Sequence, residues 1–216
     1  CALPILKRPP PVRATPRGVD APAASAPAPA PAGPPVVLCV GSIEGRKNHL
    51  ALLDAAESLW ASGLNFQLRL IGLAQPATGA AALARLGELR AAGRPVRHDG
   101  PVGDDAVAAA YAACAFTVYP SIAEGFGLPV LESLAHGKPC VCSARGALGE
   151  AAAGGGVVAL PEVSSTAIAA AIARLLSDPS ELAVLAAAAR LRPRRTWWDH
   201  AADLSGWIGE LGHSRD

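Results

Sequence analysis

From Val36 onward, short apolar runs alternate with longer segments in which apolar positions recur every three or four residues. That alternation predicts parallel strands joined by crossover helices. Strands are expected over residues 36–41, 66–72, 96–98, 115–119, 139–143 and 157–160. Helices should fill the gaps at 48–60, 80–92, 104–114, 128–135, 166–176, 180–191 and 196–211, with Asn48, Asp104 and Ser165 as N-caps. Right-handed crossovers then give an α/β fold, a doubly wound parallel sheet of the Rossmann-like kind. Ligands bind such sheets outside the carboxyl ends of the strands.

The pattern is different before Val36. Residues 1–35 hold eleven of the 20 prolines, including an alternating Ala/Pro run from Ala21 to Pro31, a composition of extended backbone without a core. This stretch is expected to be an inter-domain linker, with one globular domain over 36–216. Hydrophobic residues make up 51% of the chain and charged residues 17%, enough to bury a sizeable interior, and no apolar run approaches the roughly 20 residues of a membrane span. A formal net charge of +1 gives no global field for nucleic acid or an anionic membrane, so any anion site must be local. The chain begins at Cys1 and has no methionine, so it is expected to be a fragment or a processed product. It shows no secretory signal, and a cytoplasmic location is expected.

Five cysteines are an odd number, and Cys39, Cys114, Cys140 and Cys142 lie in or beside apolar segments, where buried reduced thiols are expected. Cys140 and Cys142 share one strand face, but no His or second Cys pair supplies further metal ligands. Asp104-Asp105 lacks the spacing of an Asp-x-Asp metal motif and suits a helix start after Gly103. No catalytic metal and no cofactor are expected. The Arg192–Arg195 run beside Trp197 and Trp198 is read as structural, not as a nucleic-acid patch.

Two segments carry chemistry. After the first strand come Gly41, Ser42 and the adjacent cations Arg46 and Lys47, next to a helix start. Gly41 allows close approach to the backbone, Arg46 offers a planar fork to phosphate oxygens, and Lys47 adds a compact charge. An isolated Arg-Lys pair is ordinarily a solvated surface pair, so a second segment has to corroborate it. That segment is Glu124-Gly125-Phe126-Gly127-Leu128-Pro129-Val130-Leu131-Glu132, directly after the fourth strand. Its glycines leave backbone N–H groups open at the positive end of a helix, where phosphate or a sugar hydroxyl can be held. Glu132 falls about one turn into that helix, within reach of a ribose diol, and Glu124 precedes the helix. Taken singly, Glu124 could as well be a capping carboxylate and Glu132 a solvated helix face. His136 is read as the residue closing this helix before Gly137 rather than as a base.

The Glu124–Glu132 segment resembles the E-x7-E signature of the retaining glycosyltransferase family 4. The segment from Val40 to Asn48 resembles that family's first donor loop. His136-Gly137-Lys138-Pro139 with Gly149-Glu150 resembles its later segments, and Pro16-Arg17-Gly18-Val19-Asp20 its inter-domain Pro-Asn-Gly-Val-Asp, with Arg17 in place of Asn. The resemblance implies the C-terminal, donor-binding half of a two-domain GT-B enzyme. It implies a nucleotide-diphosphate sugar as donor, with Arg46 and Lys47 on the diphosphate and Glu132 on the ribose. Glu124 with the Gly125–Leu128 backbone would meet the transferred sugar, and the turn at Val102 would lie by the base. Ser42 stands where many members carry arginine, which puts more weight on Arg46 and Lys47. The form of the first loop leans towards mannosyltransferases and GDP-mannose. The partner would be an N-terminal acceptor domain holding an acceptor glycan or lipid-linked sugar, through which membrane-peripheral placement could arise. The chain alone is expected to transfer no sugar. Trp197, Ala201, Leu204, Ile208 and Leu211 recur at helical spacing as a stripe expected to face that missing domain.

Two other functions share these features. One is a nucleotide-binding module without catalysis. The other is a nicotinamide-dependent oxidoreductase, against which Gly41-Ser42-Ile43-Glu44-Gly45-Arg46 stands where G-x-G-x-x-G would be needed.

Overall fold

The computed structural model describes residues 12–19 and 33–213. The expected linker lies outside the described residues over 1–11 and 20–32. The strands are β1 (Val36–Val40), β2 (Gln67–Ile71), β3 (Val96–His98), β4 (Phe116–Tyr119), β5 (Cys140–Ser143) and β6 (Val157–Leu160). They form one parallel sheet in the order β3-β2-β1-β4-β5-β6. The helices are α1 (His49–Ala61), α2 (Pro76–Ala91), α3 (Asp104–Ala113), α4 (Leu128–Ala135), α5 (Gly146–Ala152), α6 (Ser165–Ser177), α7 (Pro179–Leu191) and α8 (Trp197–His213). This is the doubly wound, Rossmann-like α/β fold, with its reversal point between β1 and β4.

Alternation along the strands builds two cores, because successive side chains point to opposite sheet faces. Val37 and Cys39 of β1, Phe116 and Val118 of β4 and Val141 of β5 pack with α1, α2 and α6. Leu38, Tyr119, Cys140 and Cys142 point the other way, against residues of α3, α4, α5 and α7. The four cysteines named above are buried and free, and burial pushes the thiols of Cys39 and Cys114 up to about 12. They pack as small apolar groups.

Several helix starts differ from expectation. Asn48 stands at the N-cap of α1 as expected, but in the left-handed region at φ 55 and without a side-chain cap hydrogen bond, since its amide donates to the Val163 carbonyl instead. Gly103, not Asp104, is the N-cap of α3, and Asp104 falls in the first turn. Ser164 rather than Ser165 caps α6, its hydroxyl accepting from the Ala167 N–H. Helix α2 starts at Pro76, earlier than residue 80, because proline at a first turn forfeits no intrahelical hydrogen bond. Helix α5 was not expected at all, since its two glycines and lack of a capping side chain leave no start signal.

The chain divides into two compact units, Asp20–Pro193 and Cys1–Val19 with Arg194–Asp216. In the second, the Pro16 carbonyl meets Arg195 Nε and His200 Nδ1, and Gly18 lies so close to the Thr196 backbone that a Cβ would stand 2.1 Å from it. The α8 stripe is exposed, 39% at Trp197, 37% at Leu204 and 60% at Ile208.

His49, at the start of α1, is buried with its Nε2 3.6 Å from Cys39 Sγ. Burial, the Lys47 charge and His98 lower its pKa to about 4. Unfolded, this histidine takes up a proton near pH 6.5, whereas the folded chain resists protonation until about pH 4. Its share of stability is therefore full above pH 6.5 and lost as the pH falls towards 4. Relative to His49→Gln, the parent chain should lose roughly 3 kcal/mol more between pH 7 and pH 4. Urea unfolding across that range measures it, and parallel pH profiles would contradict the account.

Candidate functional site

The loops after β1 and β4 leave adjacent strands at the point where the strand order reverses, and each leads to a helix on the opposite face of the sheet. The first loop runs from Gly41 through a single 3-10 turn, Gly45–Lys47, to α1. It is fixed from below by the loop after β2. Ile43 N–H donates to the Leu73 carbonyl, Gln75 N–H to the Ile43 carbonyl, and Ile43 and Ala74 form an isolated parallel bridge. Only glycine permits this docking at two positions. A Cβ on Gly72, at φ +143, would meet the Gly41 carbonyl oxygen at 2.2 Å, and one on Gly79 the Ile43 oxygen at 2.4 Å.

The second loop, from Pro120 to Gly127, is joined to the first by backbone and side chains. Ile122 N–H donates to the Arg46 carbonyl at 2.9 Å, and Arg46 Nη1 donates back to the Ala123 carbonyl at 3.3 Å. Glu124 then gathers both cations: Lys47 Nζ to its Oε1 at 2.5 Å and Arg46 Nη1 to its Oε2 at 2.8 Å. Arg46 Nη2 also meets Glu44 Oε1 at 2.8 Å. The Glu124 side chain is 9% exposed and Lys47 13%, whereas Arg46 is half exposed. Burial pushes the Glu124 pKa up, but hydrogen bonds from Lys47, Arg46 and Ser121 outweigh it and hold the carboxyl below its ordinary range. Ser121 is itself buried.

Arg46, Lys47 and Glu124 thus form one cluster, and Lys47 lies over Gly41, 3.9 Å from where a side chain there would begin. Ser42 is partly buried beside them, while Gly125 and Phe126 are exposed at the lip. Gly127 is the N-cap of α4 at φ 70, and a Cβ there would stand 3.0 Å from the Ala147 carbonyl oxygen on α5. Leu128 opens the helix beneath it. Glu132 lies on the same helix, partly buried. Burial raises its pKa, opposed by a hydrogen bond from Tyr111 and by the charge of Lys47. Val102 does not join the cluster; its side chain packs against the group of Leu38, Ile71 and Tyr111.

Three residues were missed by sequence reasoning. Ser121 supports Glu124, and Tyr111 and Tyr119, the chain's two tyrosines, meet beneath Glu132. Their scarcity was the available signal. His136 closes α4 as expected and stacks on the Tyr111 ring, with centroids 4.5 Å apart and planes 10° apart.

Elsewhere, a crevice of about 390 Å³ lies at the amino-terminal edge of the sheet, lined by Pro35, Val36, Ala112, Lys138 and Arg190 among others. The Lys138 ammonium there already donates to the carbonyls of Ala112 and Cys114. Among the described residues no three His, Cys, Asp or Glu side chains gather as a metal site, and no helix is long and apolar enough to cross a membrane.

Residues 20–192 match the family model described as glycosyl transferases group 1. The chain belongs to this family. It is 34% identical over 164 residues to O-antigen chain mannosyltransferase B of Escherichia coli, covering 76% of this chain and 42% of that protein. It is 33% identical over 177 residues to D-inositol 3-phosphate glycosyltransferase of Rhodococcus opacus, covering 78% of this chain and 39% of the relative. Among solved structures it is similar to sucrose-phosphate synthase of Thermosynechococcus elongatus, with a TM-score of 0.74 at 29% identity over 85% of this chain and 47% of that one. The chain therefore spans about two fifths of the length of the curated relatives it matches.

The two cations share the Glu124 carboxylate, so an incoming anion competes with it. Glu124→Gln should bind inorganic pyrophosphate more tightly, roughly fivefold for about 1 kcal/mol of relieved competition. Calorimetry reads this directly, and weaker binding by the variant would show that Glu124 does not hold the cations against anions.

Proposed function

We propose that this chain supplies the donor site for glycosyl transfer from a nucleotide-diphosphate sugar to an acceptor hydroxyl, with retention of configuration. The observation that carries the reading is the meeting, at the sheet's reversal point, of Arg46 and Lys47 with Glu124 on the loop that leads into the glycine-capped start of α4. Two fixed cations and a helix amino terminus suit a diphosphate, and Glu132, one turn into α4, suits the ribose. Family membership and the resemblance to family 4 support the same assignment. The resemblance to a GT-B enzyme, with the coverage of about two fifths of the relatives, supports an acceptor-binding domain outside this sequence.

As the anomeric carbon–oxygen bond breaks, negative charge grows on the departing diphosphate, and an acceptor hydroxyl forms the new bond on the same face while its proton passes to the departing diphosphate oxygen. Arg46, Lys47 and the α4 N–H groups stabilise that charge in place, without a metal. When diphosphate takes the two cations, Glu124 is released towards the transferred sugar. In such sites the loss of one stabilising donor lowers the rate about 10²–10³-fold. The first-loop sequence leans towards GDP-mannose as donor, and one relative is named a mannosyltransferase. The acceptor, a glycan or a lipid-linked sugar, would be held by the second domain, so the isolated chain is expected to bind donor without transferring it.

Calorimetry in the presence of a metal chelator tests the reading. GDP and GDP-mannose, or the UDP or ADP equivalents, should bind without Mg²⁺ or Mn²⁺. Arg46→Glu and Lys47→Glu should weaken GDP by roughly tenfold or more while sparing guanosine, whereas Glu132→Ala should weaken both. Strict metal dependence, or equal losses across all variants and both ligands, would contradict it, as would robust transfer by the isolated chain.

A further inference from the structure

Beneath Glu132 the two tyrosines form a short chain of hydroxyls. Tyr119 Oη lies 2.8 Å from Tyr111 Oη, and Tyr111 Oη lies 3.3 Å from Glu132 Oε2. A carboxylate only accepts hydrogen bonds and each phenol has one proton, so the order is fixed: Tyr119 donates to Tyr111, and Tyr111 donates to Glu132. Tyr111 is 1% exposed, packed among Leu38, Ile71, Ala110 and Cys114 and covered by the stacked His136 ring. Among the described residues its hydroxyl meets only Tyr119 and Glu132. Glu132 Oε1, by contrast, has no protein partner among the described residues.

We propose that Tyr111, held by Tyr119 and His136, is a positioning residue that clamps Glu132 Oε2 and so presents Oε1 to the ribose hydroxyls of the nucleotide. The proposal rests on the ribose role assigned to Glu132 above. A glutamate free to rotate would have to be ordered by the ligand; one already held by a buried phenol is ordered before the ligand arrives. Among the described residues, Tyr111 from α3 and Lys47 from the loop after β1 act on this carboxylate, while Tyr119 of β4 and Cys140 of β5 act on Tyr111, and His136 at the end of α4 stacks on the Tyr111 ring. Burial raises the Glu132 pKa, and the Tyr111 hydrogen bond and Lys47 pull it back. A protonated Glu132 accepts less strongly, so ribose affinity is lost as the pH falls through that pKa. Without the phenol the loss begins at higher pH.

The test compares GDP and UDP with their 2′-deoxy counterparts by calorimetry, with inorganic pyrophosphate as control. Tyr111→Phe should reduce the preference for ribose over deoxyribose roughly threefold to tenfold, leave pyrophosphate affinity unchanged, and move the acid limb of GDP binding to higher pH. In a Glu132→Gln background the same change should have no further effect on that preference. Should Tyr111→Phe unfold because Tyr119 loses its acceptor, Tyr111→Phe/Tyr119→Phe removes both hydroxyls together and is expected to give the same readouts. Full retention of the ribose preference, an equal fall in pyrophosphate affinity, or the same loss in the Glu132→Gln background would each overturn the positioning role. If Glu132→Gln itself keeps the preference, the ribose assignment of Glu132 fails and the proposal with it, an outcome distinct from failure at Tyr111 alone.

Discussion

The arrangement depends on one topological constraint: β1 and β4 are hydrogen-bonded neighbours whose connections leave to opposite faces of the sheet. A parallel sheet wound this way cannot fill the space beyond the carboxyl ends of those two strands, and both loops must line it. What they present there is set by chain geometry. The first loop is pressed flat by the backbone contacts of Gly72 and Gly79, which brings Arg46 and Lys47 to the rim. The second turns through Gly127 into a helix whose amino terminus faces the same space.

Charge then links the two loops. Glu124 sits on one loop and its two cations on the other, and with most of its surface removed from water the carboxylate is held ionised by their hydrogen bonds. An acid so placed keeps close together two neighbouring cations that would otherwise repel each other, and in the proposed reading it yields them to an anion of greater charge. The site is thereby ordered before the ligand arrives, the condition under which fixed charges act most strongly on a developing negative charge. Behind Glu132, Tyr111 and Tyr119 impose a similar order with neutral groups.

Much of this was legible in the sequence because it is local. The strands lie within one residue of expectation at each end, since short apolar runs between glycines and prolines define them. Arg46, Lys47, Glu124 and Glu132 stand at loop and helix positions that follow from those strands. Local signals failed where a choice depended on distant parts of the chain. Asn48 holds the N-cap position of α1, yet its amide is drawn to Val163, far along the sequence, and makes no cap hydrogen bond. Helix α5 lacks a start signal and is held by packing of Leu148 and Ala151 on α4 and the sheet. Tyr111 is separated from Glu132 by a strand and a loop, and only the assembled sheet brings them together. The direct ion pairs between Glu124 and the two cations were likewise beyond reach: the sequence placed each charge near the strand ends but not against each other.

The most direct measurement is a crystal structure of the chain with GDP-mannose in the presence of a metal chelator. The account predicts the diphosphate between Gly41, Lys47 and the amino terminus of α4, the ribose on Glu132 Oε1, and Glu124 released from at least one of its cations. A nucleotide bound in the crevice by Lys138 and Arg190 at the opposite edge of the sheet, or one bound with Glu124 still holding both cations, would contradict it.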